Sequence, residues 1–88
     1  MVNRRRSELD IISEILMLSR NGAKKTEILY QGNLSYSQLQ GYLLFLLEKN
    51  ILEEKIVDKD NGQSKIYKIT KKGDNLLEDI NKTLSYFE

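Results

Sequence analysis

Hydrophobic positions along this chain follow a helical period through about residue 50, a period of two over about residues 52–69, and a helical period again beyond it. Leu9, Ile12, Ile15, Leu16 and Ser19 recur at helical spacing. Ser7 precedes them as an N-cap, Glu8 and Asp10 suit the positive end of the helix dipole, and Asn21-Gly22 supplies a stop, predicting a first helix over about residues 8–20. A shorter helix is expected over residues 23–31, with Ile28 and Leu29 turned inward, and Gly32-Asn33-Leu34 forms a tight link to the stretch 34–50. In that stretch Ser35 is an N-cap, Gln38 completes a capping box, and Leu34 and Leu39 occupy the positions of a hydrophobic staple. At 100° per residue Leu39, Leu43, Leu46 and Leu47 gather on one side with Tyr42 beside them. The opposite side carries Ser37, Gly41, Leu44, Phe45 and Glu48, flanked by Gln38 and Gln40. One face is built for burial, and the N-terminal half of the other is small and polar.

Beyond Leu52, residues 52–58 and 65–69 read as two strands, with Asn61-Gly62 as the hairpin turn because both residue types tolerate positive φ. That turn would set Ile56 opposite Tyr67, Val57 opposite Ile66 and Asp58 opposite Lys65, with Leu52, Ile56, Tyr67 and Ile69 covering the first and third helices. Thr70 caps a last helix over residues 71–88, in which Gly73 reads as a weak spot. Leu77, Ile80, Leu84 and Phe87 repeat at spacings of three, four and three, the pattern of a helix-pairing seam, while Leu76 would anchor the helix to its own domain. Two short helices joined by a glycine-containing turn, followed at once by a hairpin with a polar loop, define a winged helix-turn-helix. The expected fold class is α+β, mainly α: three helices, a two-stranded wing hairpin and a C-terminal dimerisation helix, in a single domain over residues 1–88.

Composition narrows the chemistry. The 88 residues are 40% apolar and 31% charged, a soluble globular mix with room for one small core. The chain has neither cysteine nor histidine, so disulfides, thiolate nucleophiles, histidine bases and Cys/His zinc sites are excluded. The carboxylate pairs Glu53-Glu54 and Glu78-Asp79 have no partner groups to tune them, so neither an enzyme nor a cofactor or metal site is expected. The apolar run over residues 42–47 is too short to cross a membrane, and the arginine-rich start lacks the apolar segment of a signal peptide, so a cytoplasmic location is expected. The formal net charge is only +1, but residues 1–25 hold six basic against three acidic side chains. Positive charge is thus concentrated in the arm over residues 1–6 and at Lys24 and Lys25, with smaller groups at Lys59 and Lys65 and at Lys68, Lys71 and Lys72.

Three segments carry a family resemblance: Gly22-Ala-Lys-Lys-Thr-Glu-Ile, Gly41-Tyr-Leu-Leu-Phe-Leu-Leu-Glu-Lys-Asn-Ile-Leu, and Tyr67-Lys-Ile-Thr-Lys-Lys-Gly-Asp-Asn-Leu-Leu. The last resembles the Tyr-x-x-Thr-x-x-Gly-x-x-Leu-Leu signature that joins a wing to a final helix. Together they make the chain similar to archaeal winged helix-turn-helix regulators, and most of all to small dimeric chromatin-type DNA-binding proteins. The resemblance implies double-stranded DNA as partner, a cytoplasmic and nucleoid-associated location, and a homodimer paired through Leu77, Ile80, Leu84 and Phe87. It also implies a recognition helix over about residues 35–49 in the major groove, and a wing loop over residues 58–65 on the backbone or in the minor groove. Ser37, Gln38 and Gln40 would face base edges, where glutamine suits adenine and serine several bases, and Gly41 would permit close approach. Arg4, Arg5, Arg6, Lys24, Lys25, Lys59 and Lys65 would meet phosphates, with Thr26, Ser35, Tyr36, Asn61 and Gln63 completing the surface. Gln38 serves either the cap or a base, Tyr36 either packing or stacking, and the three arginines either the backbone or a solvated tail. The recognition helix has no Arg or Lys before Lys49, so the strongest guanine readers are missing. The competing reading is a winged-helix module for protein–protein contact, favoured by the near-neutral charge and by Glu48 on the outer face.

Overall fold

The helices start where local chemistry places them. In a computed structural model that describes residues 7–59 and 62–88, α1 spans Glu8–Leu18, α2 Lys25–Gln31, α3 Tyr36–Glu48 and α4 Lys71–Ser85. Two strands, β1 (Leu52–Lys59) and β2 (Gly62–Ile69), pair as an antiparallel hairpin between α3 and α4. The N-terminal arm with Arg4, Arg5 and Arg6, and Asn61 at the hairpin tip, lie outside the described residues.

The capping box expected at α3 forms, and a second stands at α1, where Ser7 was expected as a cap and Asp10 only as a partner of the helix dipole. Ser7 Oγ accepts the Asp10 N–H at 3.2 Å while Asp10 Oδ2 accepts the Ser7 N–H at 2.9 Å. Ser35 Oγ accepts the Gln38 N–H at 3.2 Å and Gln38 Oε1 accepts the Ser35 N–H at 3.0 Å. The helix ends turn on left-handed residues: Gly22 (φ 90°) follows α1, Asn33 (φ 51°) follows α2 and Asn50 (φ 58°) follows α3. At the last two, the next N–H folds back onto the helix, Leu34 to the Leu29 carbonyl and Ile51 to the Leu46 carbonyl. Lys72 Nζ donates to the Lys49 carbonyl at 2.8 Å, placing a cation at the negative end of α3.

The core joins every element. Ile15, Leu16, Ile28, Leu39, Leu43 and Leu46 are buried from α1, α2 and α3, with Ile51, Leu52, Tyr67, Ile69 and Leu77 added from the rest of the chain. Leu9 was expected in the α1 stripe, but it is exposed and Ile11 takes its place, because the face of α1 that meets α4 lies further round the helix. Ser13 is buried on that face and donates from its hydroxyl to Asn81 Oδ1 of α4 at 3.1 Å.

The hairpin differs from its expected register by two residues. Leu52 pairs with Ile69, Ile56 with Lys65, Val57 with Ser64, Asp58 with Gln63 and Lys59 with Gly62. Gly62 therefore opens β2, at φ 113°, instead of standing inside the turn. A slip of two keeps every side chain on its own face, so the alternating pattern cannot discriminate the two registers. The base of the hairpin decides. The Thr70 N–H donates to the Ile51 carbonyl at 3.1 Å, and Thr70 Oγ1 reaches the carbonyls of Asn50 and Ile51 at 2.6 and 3.0 Å. Ile56, expected over the helices, is consequently carried out along the wing and is exposed, while Leu52, Tyr67 and Ile69 are buried.

Ala23, expected in α2, is extended and pairs with Tyr67 through N–H to carbonyl bonds of 2.9 and 2.8 Å. The Ile69 N–H adds a bond to the Ser19 carbonyl at 3.1 Å, so the base of β2 is bonded on both edges.

Two expectations for α4 are corrected. Gly73 is a requirement, not a weak spot: its N–H donates to Thr70 Oγ1 at 3.0 Å, and a Cβ there would collide with the Ile51 carbonyl oxygen and lie 2.6 Å from Ile69 Cγ1. Leu77 and Ile80, expected on the dimer seam, are buried in the protomer itself, because α4 packs along α1. Leu84 is half-buried, and Phe87, 70% exposed, lies in a turn beyond the helix, which ends at Ser85 and not at residue 88 as expected. The result is a mainly helical winged helix with a two-stranded antiparallel hairpin.

Candidate nucleic-acid interface

The leucines that bury one side of α3 fix what the other side presents. With Leu39, Leu43 and Leu46 inward, Ser37, Gln38, Gln40, Gly41, Leu44 and Phe45 are all exposed. The capping box holds Gln38 Oε1 and Ser35 Oγ, so both residues serve the start of the helix through the oxygens they would otherwise offer to a ligand. Gln40 and Ser37 make no such bond among the described contacts.

Two shallow grooves flank α3 and meet at Gly41. On one side Lys25 of α2, Gln40, Leu44 and Leu47 of α3, and Tyr67 of β2 line a groove whose only charge is a cation. On the other, Glu8 and Ile12 of α1 face Ser37, Gln38, Tyr42 and Phe45. Among the described residues the two sides therefore differ in charge, which suits the Lys25 side to a polyanion.

Lys25 links the two helices of the helix-turn-helix. Its Nζ stands 5.0 Å from the Tyr36 ring centroid and 3.4 Å from the Tyr36 hydroxyl, a cation–π contact at the start of α3. Tyr36 thus stacks on a lysine of its own chain. Lys24 stands at the N-terminus of α2, where its N–H donates to Glu27 Oε1 at 2.9 Å, and Thr26 is exposed beside it.

The wing is less basic than its lysines suggest. Lys65 Nζ lies 3.4 Å from Glu54 Oε1, and Lys55 Nζ lies 3.3 Å from Glu53 Oε1. Both pairs are exposed and worth little, so a phosphate could displace the carboxylate. Gln63 is exposed near the tip; the Lys59 side chain falls outside the described residues.

The structure brings Lys25, Tyr36, Gln40 and Gly41 together on one side of the molecule, and the wing carries Gln63 and Lys65 out beyond Tyr67. Leu77 and Ile80 are removed from any exposed surface. Leu44 is 62% exposed in the middle of this face, opposite the leucine stripe. Among the described residues no cluster of acidic side chains could hold a metal ion, and no helix is long and apolar enough to cross a membrane.

Comparison with known proteins agrees with this architecture. A solved structure from Streptococcus mutans UA159 superposes with a TM-score of 0.84 at 20% identity, covering 98% of this chain and 86% of that one. A PadR family transcription regulator from Clostridium difficile R20291 gives 0.78 at 19% identity, covering 88% of each chain. A possible transcriptional regulator from Methanosarcina mazei Go1 gives 0.59 at 23% identity, covering 94% of this chain and 72% of that one. No curated protein sequence matches the chain. The winged helix-turn-helix family model spans residues 5–87, and the chain belongs to that family.

Proposed function

We propose that this chain is a non-enzymatic transcription regulator or chromatin-type protein that binds double-stranded DNA as a homodimer. It inserts α3 into the major groove and lays the wing on the backbone or minor groove. The observation that carries the reading is the outward face of α3: Ser37, Gln40 and Gly41 stand clear of the core, and Gln40 and Gly41 line a groove whose charge comes from Lys25. The PadR family transcription regulator of similar fold supports the regulator reading, as does the possible transcriptional regulator from Methanosarcina mazei. Tyr86 and Phe87, exposed just beyond the last turn of α4, supply an apolar surface for a second copy. Two recognition helices on one particle would compensate for the weak net charge, because the second engagement is effectively intramolecular. The protein–protein reading is favoured by the exposed Phe45 next to Glu8. Affinity that is insensitive to salt would support it over DNA binding, since only phosphate neutralisation releases condensed counterions.

Lys24 and Lys25 provide the direct test. Replacing both by alanine is expected to weaken binding about equally on all duplexes and to flatten the salt dependence by up to about 2 units of slope. Mobility-shift titrations at two salt concentrations measure both quantities. An unchanged slope would remove α2 from the phosphate backbone.

Gln40 is expected to carry base preference. Gln40→Ala should cost about 1–3 kcal/mol on the best site and much less on unrelated duplexes, as read by competition titration. Equal losses on every duplex would assign Gln40 to backbone contact alone.

A further inference from the structure

Leu44 does what the other core-helix leucines do not. Leu39, Leu43 and Leu46 are buried, Leu47 is half-buried, and Leu44 is 62% exposed. Among the described residues α4 does not cover it, since that helix packs on α1 and β2 instead. A single exposed leucine is unremarkable on a protein surface, so its surroundings must carry the argument.

Those surroundings are polar and cationic. Leu44 lies one helical turn beyond Gln40, about 6 Å along the axis, and shares a groove with Gln40, Gly41 and Lys25. Apart from its chain neighbours and the nearby backbone of α3 itself, Gly41 beside it meets nothing within 4 Å of where a Cβ would stand, leaving a flat strip of helix backbone next to an apolar knob. Glycine weakens a helix interior, and no packing in the fold asks for it here. An apolar protein partner seated on Leu44 would bury Gln40 without partners, which is costly. The major-groove edge of an A·T pair fits this surface better. It presents hydrogen-bonding groups for Gln40 and, on thymine, a methyl group projecting into the groove.

On the reading that α3 enters the major groove, we infer that Leu44 is a base-reading residue that contacts the 5-methyl group of thymine, one or two base pairs from the base addressed by Gln40. The preferred site therefore carries thymine at a fixed offset from the adenine read by glutamine. Among the described residues Lys25 is the charge that lines this side of α3 and Glu8 the charge that lines the other, which favours a phosphate backbone on the Lys25 side.

The test compares two versions of the tightest-binding duplex selected from a random pool, one natural and one with uracil in place of every thymine. The full chain is expected to bind the uracil duplex more weakly, by roughly fourfold for each methyl contacted, the weight of one buried carbon. Leu44→Ala should bind both versions equally while melting like the parent, because the side chain is outside the core. Equal binding of the two duplexes by the parent overturns the inference while leaving DNA binding intact. The same uracil penalty in parent and variant also overturns it, since the methyl would then act through DNA shape. Failure to bind any duplex, with Leu44→Ala altering self-association or capture of a protein partner, would sink the DNA reading itself.

Discussion

Gly73→Ala is expected to destabilise the protein by about 2–3 kcal/mol even though it places the best helix former in a helix. The new methyl would collide with the Ile51 carbonyl oxygen, which already accepts bonds from the Thr70 N–H and hydroxyl. Ile69 Cγ1, 2.6 Å from the Cβ position, blocks retreat on the other side. The start of α4 must then move away from the α3–β1 junction and loosen the anchor that sets the hairpin. Thermal melting by circular dichroism should show a midpoint lower by on the order of 10–20 °C. Gly41→Ala is the matched control, because open space surrounds that position. It should raise stability by up to about 1 kcal/mol. Similar effects of the two substitutions would mean that close approach is not what requires Gly73.

The second large effect divides α4 into two halves. Ile80, 4% exposed and facing the protomer's own core, is expected to tolerate no charge: Ile80→Asp should cost more than about 3 kcal/mol. A domain of this size has only about 4–13 kcal/mol in total, so the variant should be unfolded or nearly so at physiological temperature. Phe87→Asp should leave the melting midpoint within a few degrees of the parent, since the ring is 70% exposed in the protomer. If the proposed dimer uses the free end of the helix, the same change should shift the protein from dimer to monomer in sedimentation velocity. A folded, monomeric Ile80→Asp would return the whole stripe to the dimer interface. A parent chain that sediments as a monomer at tens of micromolar would end the dimer proposal.

What could be read from the sequence was whatever neighbouring residues decide. Ser7 with Asp10, and Ser35 with Gln38, lie three residues apart, and their reciprocal bonds form as the spacing implies. The leucine stripe of α3 placed its outward face correctly for the same reason, and the outward Ser37, Gln40 and Gly41 came with it. The register of the hairpin was not legible, because Ile51 with Thr70 and Ala23 with Tyr67 are contacts across the chain, and period-two alternation is blind to a shift of two. The stripe over Leu77, Ile80, Leu84 and Phe87 is continuous in sequence, and only the position of α1 shows that its first half is used inside the protomer. At the candidate site the exposure of the outward residues of α3 was legible, but the engagements of the side chains were not. Gln38 is held by the cap, Lys65 by Glu54 and Lys25 by Tyr36, each through a partner that charge counting treats as neutral background or as unrelated surface.

Because the hairpin is held at its base by Thr70, Ala23 and Ser19, its length is free to vary at the tip. One residue added to each arm would extend the wing by about 3.3 Å and leave the Leu52–Ile69 pairing untouched. One residue added to a single arm would force a bulge or turn every distal side chain on that arm to the opposite face. Insertions and deletions in this loop should therefore be accepted in even steps. The wing behaves as a ruler fixed at one end, whose reach can change over generations without refolding the body that carries it.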